Sequence, residues 1–479
     1  MNRHSHQNAF ASFRALEREG VTVASRRNFL KAGLAGIAGL SVPELLRYRA
    51  GAESRSLSHA KSVILLWMTG GPSHIDTWDP KPDRPVENRG PFGVTSTNLP
   101  GVIVCEHLPK MASMLDKFSL IRSVDARMSN HEPNMVMQTG NLEAEPRTNP
   151  LGRMYPAIGS VVAKHHGANH PSMPAYVVFR RSWSHHPVGG YLGKQYDPFI
   201  GDLASRMPMY SDVGVDTGKT TEADLFRLSH GLTHERLTDR RTLLADFDHL
   251  RRDLDQSGTM VAMDRYGQQA VEMVLGRRAQ QAFDLSREPE PIRARYGKHL
   301  WCQQALLARR LVETGVAFVT IDLSYHPASG TWDNHGDNIP PYGGISKGLK
   351  PLLPLFDHLI ATLVDDLAQR GLLDEVLVIA MGEFGRTPQM GTQGSTDGRN
   401  HWPYVMSMAM AGGGLRHGQV IGATESDGGQ IKERPVTPGD LAATIYHHFG
   451  VPRDTAYVDP TGRPIPVVQE DGRAMAELV

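Results

Sequence analysis

The sequence predicts an α/β domain built on a doubly wound, mainly parallel sheet with helices on both faces and a helical insertion. Three observations lead there. Short, continuously apolar runs recur along the chain, as strands covered on both faces do. Helical patterns separate several of them, which is the alternation that builds βαβ units. A charged, nearly Pro-free stretch from about 221 to 313 interrupts that alternation.

The apolar runs lie at 62–68, 118–124, 175–179, 316–323, 375–381 and 405–411. The clearest helix covers 352–370: Leu355, Phe356, Leu359, Leu363, Val364 and Leu367 form one stripe, and Gly371 is placed to end it. In 221–313, Leu243, Leu244, Phe247 and Leu250 alternate with Arg240, Arg241, Asp246 and Arg251, the pattern of an amphipathic helical insertion with a solvated face. Segment 80–91, rich in Pro and charge, and segment 183–190, which contains His and Gly, read as surface loops.

The start of the chain reads as a leader. Ser25-Arg26-Arg27-Asn28-Phe29-Leu30-Lys31 precedes a weakly apolar run at 32–42, and Ala50-Gly51-Ala52 supplies small residues for cleavage. This is the pattern of a twin-arginine export signal over 1–52, with the α/β domain at 53–479. The run is too short and glycine-rich to span a bilayer well. The expected location is periplasmic or extracellular, the partner in transit is the twin-arginine translocase, and no transmembrane span is expected in the mature protein.

The 479 residues carry 51 Lys+Arg and 51 Asp+Glu. The leader holds eight basic and three acidic residues, which leaves 43 against 48 and a mature net charge of −5. A nucleic-acid binder working by phosphate neutralisation is thereby disfavoured. With 22 His and 2 Cys, thiolate zinc sites, iron–sulfur clusters and disulfide scaffolds are largely excluded, whereas imidazole and carboxylate ligation stays open. Cys302, within a helical pattern, reads as a small buried hydrophobe.

Ligands of an open parallel sheet collect at the carboxyl ends of its strands, so the polar residues after each apolar run are the candidates. The first run leads into Thr69-Gly70-Gly71-Pro72-Ser73-His74-Ile75-Asp76, where His74 and Asp76 offer an N/O pair, although taken alone they fit a tight turn with local hydrogen bonds better. The second leads into Ser129-Asn130-His131, and the same residues would serve as a plain helix cap. Beyond the fourth lies Trp332-Asp333-Asn334-His335, whose Asp-x-His spacing on a loop turns both side chains onto one ion. The fifth is followed by Gly382-Glu383-Phe384-Gly385-Arg386, then Gly398-Arg399-Asn400-His401. Ordinary turns do not repeat ligand chemistry along one sheet edge, and together these segments point to a metal-assisted site.

These residues also carry a resemblance. The leader, the segment Leu66-Trp67-Met68-Thr69-Gly70-Gly71-Pro72-Ser73-His74, Trp332-Asp333-Asn334-His335, Glu383-Phe384-Gly385-Arg386-Thr387-Pro388 and Gly398-Arg399-Asn400-His401-Trp402-Pro403 together resemble the bacterial domain of unknown function 1501 family, which is grouped with the alkaline phosphatase and sulfatase superfamily. The resemblance implies an alkaline phosphatase-like fold, a divalent metal (zinc, calcium or magnesium) and hydrolysis of a sulfate or phosphate ester, of a small molecule or a polysaccharide. It implies Asp333, His335 and His401 as ligands of one metal and Glu383 as an acidic ligand of a second, completed by His74 or Asp76. Ser129, His131 and Arg386 would be catalytic, and Arg122 and Arg399 would bind the anionic substrate.

The sequence also departs from the superfamily pattern. Thr69-Gly70 stands where an Asp is usual and Phe384 where a His is usual, Asn130 falls at the nucleophile position, and no Cys-x-Pro-x-Arg segment exists for formylglycine. The attacking group is then Ser129 or water, or catalysis has been lost and the protein is a metal- or ligand-binding envelope protein of the same fold.

Overall fold

The computed structural model describes residues 60–479 except 132, 181–184, 203, 211–215, 223–276, 325–331, 337–342, 393, 460 and 470. The expected leader at 1–52 and most of the insertion expected at 221–313 lie outside the described residues.

Eight strands form the main sheet: β1 (Ser62–Trp67), β2 (Phe118–Val124), β3 (Tyr176–Phe179), β4 (Phe199–Ile200), β5 (Phe318–Asp322), β6 (Val376–Met381), β7 (Met406–Gly412) and β8 (Gln419–Ile421). Their spatial order is β8-β2-β7-β6-β1-β5-β3-β4. β1 pairs in parallel with both β6 and β5, and β3 is parallel to β5 and β4. β7 is antiparallel to β6 and to β2, and β8 is parallel to β2. β7 is thus the single reversed strand, and the carboxyl ends of β1, β2, β5 and β6 share one edge.

The runs are apolar on both faces because the sheet is covered on both faces. Along β1, Ile64 and Leu66 join one core cluster while Val63 and Trp67 join the other. The first core packs helices α2 (Leu300–Thr314) and α3 (Lys350–Gln369) on the sheet; the second packs α1 (Ile158–His165) and α4 (Pro438–His448). Each fully buried aliphatic side chain contributes roughly 1.5–3 kcal/mol relative to exposure, so the period-2 alternation fixes which residue faces which layer.

Helix ends follow local chemistry. At α2 the His299 side chain accepts a hydrogen bond from Trp301 N, and Gly315 closes the helix at φ +116°, where a Cβ would lie 2.4 Å from His170. At α4 Thr437 and Asp440 form a reciprocal capping box, with Pro438 in the first turn. The stripe expected for 352–370 is that of α3, and the described part of 221–313 contributes the helices Arg277–Phe283, Glu290–Tyr296 and all of α2 but its last residue.

A buried ion network ties this layer together. Arg309, 1% exposed, pairs with Glu288 at 2.6 Å, Asp366 at 2.9 Å and Glu313 at 2.7 Å, and Arg310 and Arg370 share Glu288 with it. Cys105 and Cys302 are free and buried, and burial pushes both thiols up to about 12. Among the described residues no helix is long and apolar enough to cross a membrane.

Candidate metal centre

Four loops at the carboxyl edge deliver the candidate side chains, and backbone contacts position each one. After β1 the chain turns at Gly70 and Gly71, with φ +113° and +77°, conformations that L side chains resist. That turn lets Gly70 approach the loop beyond β5 so closely that a Cβ there would lie 2.4 Å from Asp333 N. The loop is anchored by Trp332, which is fully buried, stacks on Trp301 at 5.9 Å, meets Phe356 edge-on and donates from Nε1 to Leu323 O. Trp332 N also donates to Thr69 O, which ties the ligand-bearing loop to the end of β1.

After β6, Gly385–Arg386 pairs with His401–Trp402 as a short antiparallel ribbon, placing Arg386 opposite His401. The segment before His401 rests on the β5 loop. Arg399 N donates to Asn334 O, and a Cβ on Gly398 would overlap His335 O. His131 arrives from the loop beyond β2.

Among the described residues, one group of His, Cys, Asp and Glu side chains has the arrangement of metal ligands: His131, Asp333, His335 and His401, with one ligand atom each, all within 4.8 Å of one another. His401 Nε2 lies 2.8 Å from His131 Nε2 and 2.7 Å from His335 Nε2. Asp333 Oδ1 lies 3.5, 3.0 and 3.4 Å from the Nε2 atoms of His131, His335 and His401. Ligand atoms around one small ion with bonds of about 2.0–2.1 Å sit roughly 3.3 Å apart at the edges of a tetrahedron, so these separations belong to a single-ion cluster slightly drawn in.

The donor chemistry passes the same test. Three imidazole nitrogens converge on one point, and because facing lone pairs repel, contacts of this length call for a shared proton or a cation between them. Nδ1 of His131 is held by Glu383 Oε1 at 2.7 Å, which leaves its Nε2 for the cluster. Three imidazoles with one carboxylate suit zinc-type ions rather than calcium or magnesium, which prefer all-oxygen shells.

The electrostatics are those of a cation site. Burial opposes the charged form of His131, yet its hydrogen bonds to Asp333 and Glu383 outweigh that and push its pKa up to about 9. Burial pushes His401 down to about 3 despite Asp333, helped by the Arg386 guanidinium and His131. Burial would raise Asp333, but Arg386 and the three imidazoles hold it well below the usual carboxylate range. Protons and an ion would compete for these nitrogens, so ion affinity at such a site falls as pH falls.

The remaining sequence candidates do different work. Glu383, expected as a ligand, is outside the four-ligand group; fully buried, its Oε1 accepts from Gly70 N at 2.9 Å and holds His131. His74 and Asp76 are also outside it. His74 Nε2 bonds Gly428 O at 2.8 Å, and Asp76 Oδ2 accepts from Arg399 Nε at 2.6 Å and from Ser73 Oγ at 2.5 Å. Arg399, fully buried, also donates to the carbonyls of Thr387, Pro388 and Asn88, so it braces the segment that carries His401 and presents no nitrogen to a substrate.

Arg386 is likewise fully buried, donating to Gly71 O, Arg399 O, Gly70 O and Asp333 Oδ1. Its guanidinium holds Asp333 and has its nitrogens engaged by protein oxygens. Arg122 donates to the carbonyls of Trp78 and Ile103 and faces Asp79 at 3.6 Å. Ser129 accepts from Asn134 Nδ2 at 2.6 Å and is outside the four-ligand group. The sequence reading missed the anchoring role of Trp332 and the contact at Gly398; an aromatic immediately before Asp-x-His was the available signal for the first.

The family model for "Protein of unknown function (DUF1501)" matches residues 60–479. The chain belongs to this family. No curated protein matches the sequence. Solved structures to which this DUF1501 chain is similar include the PsFucS1 sulfatase from Pseudoalteromonas sp., at 13% identity over 84% of this chain and 70% of that one, TM-score 0.37. They also include the phosphonate monoester hydrolase of Agrobacterium radiobacter, at 12% identity over 87% and 76%, TM-score 0.35. A third is Ps i-CgsB in complex with k-i-k-neocarrahexaose, at 9% identity over 82% and 72%, TM-score 0.39.

Proposed function

We propose that this DUF1501 protein is an exported, metal-dependent hydrolase of a sulfate or phosphate ester, with a small molecule or a polysaccharide as the ester's carrier. The observation that supports this most is the convergence of His131, Asp333, His335 and His401 at the carboxyl edge of a mainly parallel sheet, where α/β folds place their ligands. A divalent cation, zinc by the donor set, would supply Lewis acidity toward an ester oxygen there.

The chain's own residues have separable tasks. His131, Asp333 and His335 form the buried side of the centre, while His401, with 38% of its side chain exposed, lies on the solvent side from which a substrate would enter. Arg386 keeps Asp333 anionic and fixed. Asp76 and Arg399 hold the His401 segment against the loop bearing His335.

A second reading, an ion-binding envelope protein without turnover, is favoured by one specific feature. Arg386 and Arg399 are buried with protein partners, and Ser129 is engaged by Asn134, so none of these three expected catalytic or anion-binding side chains is free to face the centre.

The deciding experiment measures metal content of the purified protein and turnover of aryl sulfate, aryl phosphate and aryl phosphodiester, beside His401→Ala. Hydrolysis of one class that His401→Ala abolishes supports the hydrolase. Bound ion without turnover on any of the three selects the silent binding protein, and a protein that takes up no ion sinks both. Export is tested separately: Arg26→Lys with Arg27→Lys should retain the protein in the cytoplasm.

A further inference from the structure

We propose that Glu383 is a positioning residue that acts on the ion through His131, by fixing the tautomer and raising the basicity of that imidazole, and is not itself an ion ligand. The proposal rests on the metal-centre reading above and adds to it a specific task for a residue outside the four-ligand group.

The geometry assigns the two nitrogens of His131 to different partners. Nδ1 lies 2.7 Å from Glu383 Oε1, and Nε2 lies within the cluster, 2.8 Å from His401 Nε2 and 3.5 Å from Asp333 Oδ1. A carboxylate can only accept, so the Nδ1 position must carry the hydrogen and Nε2 is left with its lone pair for an ion. His335 differs: its buried Nδ1 has no hydrogen-bond partner among the described residues, so nothing comparable fixes its tautomer. Of the three imidazoles, His131 is the one that, among the described residues, is held by a carboxylate outside the ligand group.

Glu383 is built to hold that position. It is fully buried, and its Oε1 also receives Gly70 N–H at 2.9 Å, so the carboxylate is pinned by a backbone amide whose own position depends on a left-handed glycine. The Phe384 ring lies 4.7 Å from His131 and 4.7 Å from His401 and packs against both imidazoles. The other oxygen, Oε2, is buried and has no hydrogen-bond partner among the described residues. A buried, half-satisfied carboxylate is a poor structural element, because an oxygen left without a partner carries its desolvation penalty. A glutamine would accept from Gly70 equally well without burying a charge. What glutamine lacks is the negative charge, and the group that uses that charge is the His131 N–H.

The experiment is a double-mutant cycle on the full chain: Co2+ affinity, by competition with a chelator, for the wild type, Glu383→Gln, His131→Ala and the double variant, with urea stability of each in the absence of ion. The expected result is a loss of about 10–100-fold in affinity for Glu383→Gln, with ion-free stability close to wild type. The same substitution should then have no further effect in the His131→Ala background. Loss of the full factor in that background would mean that Glu383 contacts the ion independently and would overturn the proposal, as would unchanged affinity in Glu383→Gln alone. If Glu383→Gln fails to fold, Glu383→Ala in both backgrounds supplies the same comparison. Failure of the wild type to bind Co2+ strikes the metal-centre reading itself and this inference with it, whereas failure confined to the variants strikes this inference alone.

Discussion

Replacing Gly70 by alanine tests how closely the end of β1 and the ligand loop depend on each other. A Cβ at Gly70 would lie 2.4 Å from Asp333 N and 2.8 Å from Trp332 C, both backbone atoms that no rotamer change can move aside. The residue also sits at φ +113°, outside the conformations an alanine prefers. Gly101 provides an internal control, at φ +77° with nothing within 4 Å of its Cβ position. Gly101→Ala should therefore show the backbone cost alone, about 1–2 kcal/mol. Gly70→Ala adds the cost of forcing apart packed backbone, roughly 1–3 kcal/mol more. Because the Gly70 peptide donates to Glu383 and accepts from Arg386, the displacement should also reach the ligands. Urea unfolding and Co2+ titration of both variants are the assay. Equal destabilisation of the two, with Co2+ affinity unchanged in Gly70→Ala, would refute the close approach of Gly70 to the Asp333 loop.

Other perturbations have equally definite outcomes. Arg309→Ala leaves Glu288 and Asp366 as buried charges short of a partner, and should cost about 3–5 kcal/mol in urea unfolding while Co2+ affinity is retained, because no member of the network belongs to the four-ligand group. Asp76→Asn removes the carboxylate from the fully buried Arg399 and should weaken both stability and ion affinity, whereas Ser129→Ala should leave ion affinity unchanged. Burial pushes His185 down to about 3, with Arg180 and His186 acting in the same direction. Its folded pKa lies below its unfolded value, so the stability from its neutral form is complete above about pH 6.5. That stability drains as pH falls toward 3. Urea midpoints between pH 8 and 4.5 should therefore decline more steeply in the wild type than in His185→Gln.

Much of the fold was legible because strands covered on both faces must be apolar throughout. The runs at 62–68, 118–124 and 375–381 needed no partner to be recognised, and β1, β2 and β6 fall within them. Strand order was not legible. β1 pairs with β6 residue by residue, Ser62 with Val376 through Trp67 with Met381, and no local signal joins segments so far apart in the chain. The reversal of β7 is hidden for the same reason, since an apolar strand reads alike in either direction.

At the site, Asp333, His335 and His401 stood out because their residue types and Gly-rich surroundings match ligand chemistry. His74 and Asp76 looked the same by that standard. What separates them is Arg399, 323 positions from Asp76, whose buried guanidinium turns the carboxylate into half of an ion pair. Likewise Arg386 stood among the expected catalytic residues, and only the carbonyls of Gly70, Gly71 and Arg399 around it show that its donors are already engaged. A side chain's type announces what it can do; its long-range partners decide whether that capacity is still available.

The claim on which the rest depends is that His131, Asp333, His335 and His401 hold one ion. Equilibrium Co2+ titration followed by visible absorption tests it directly, in the wild type and in His335→Ala and His401→Ala. One equivalent per chain, an intense four-coordinate spectrum in the wild type, and its loss in both variants is the predicted result. No uptake by the wild type, or the same spectrum and stoichiometry retained in both variants, would contradict it.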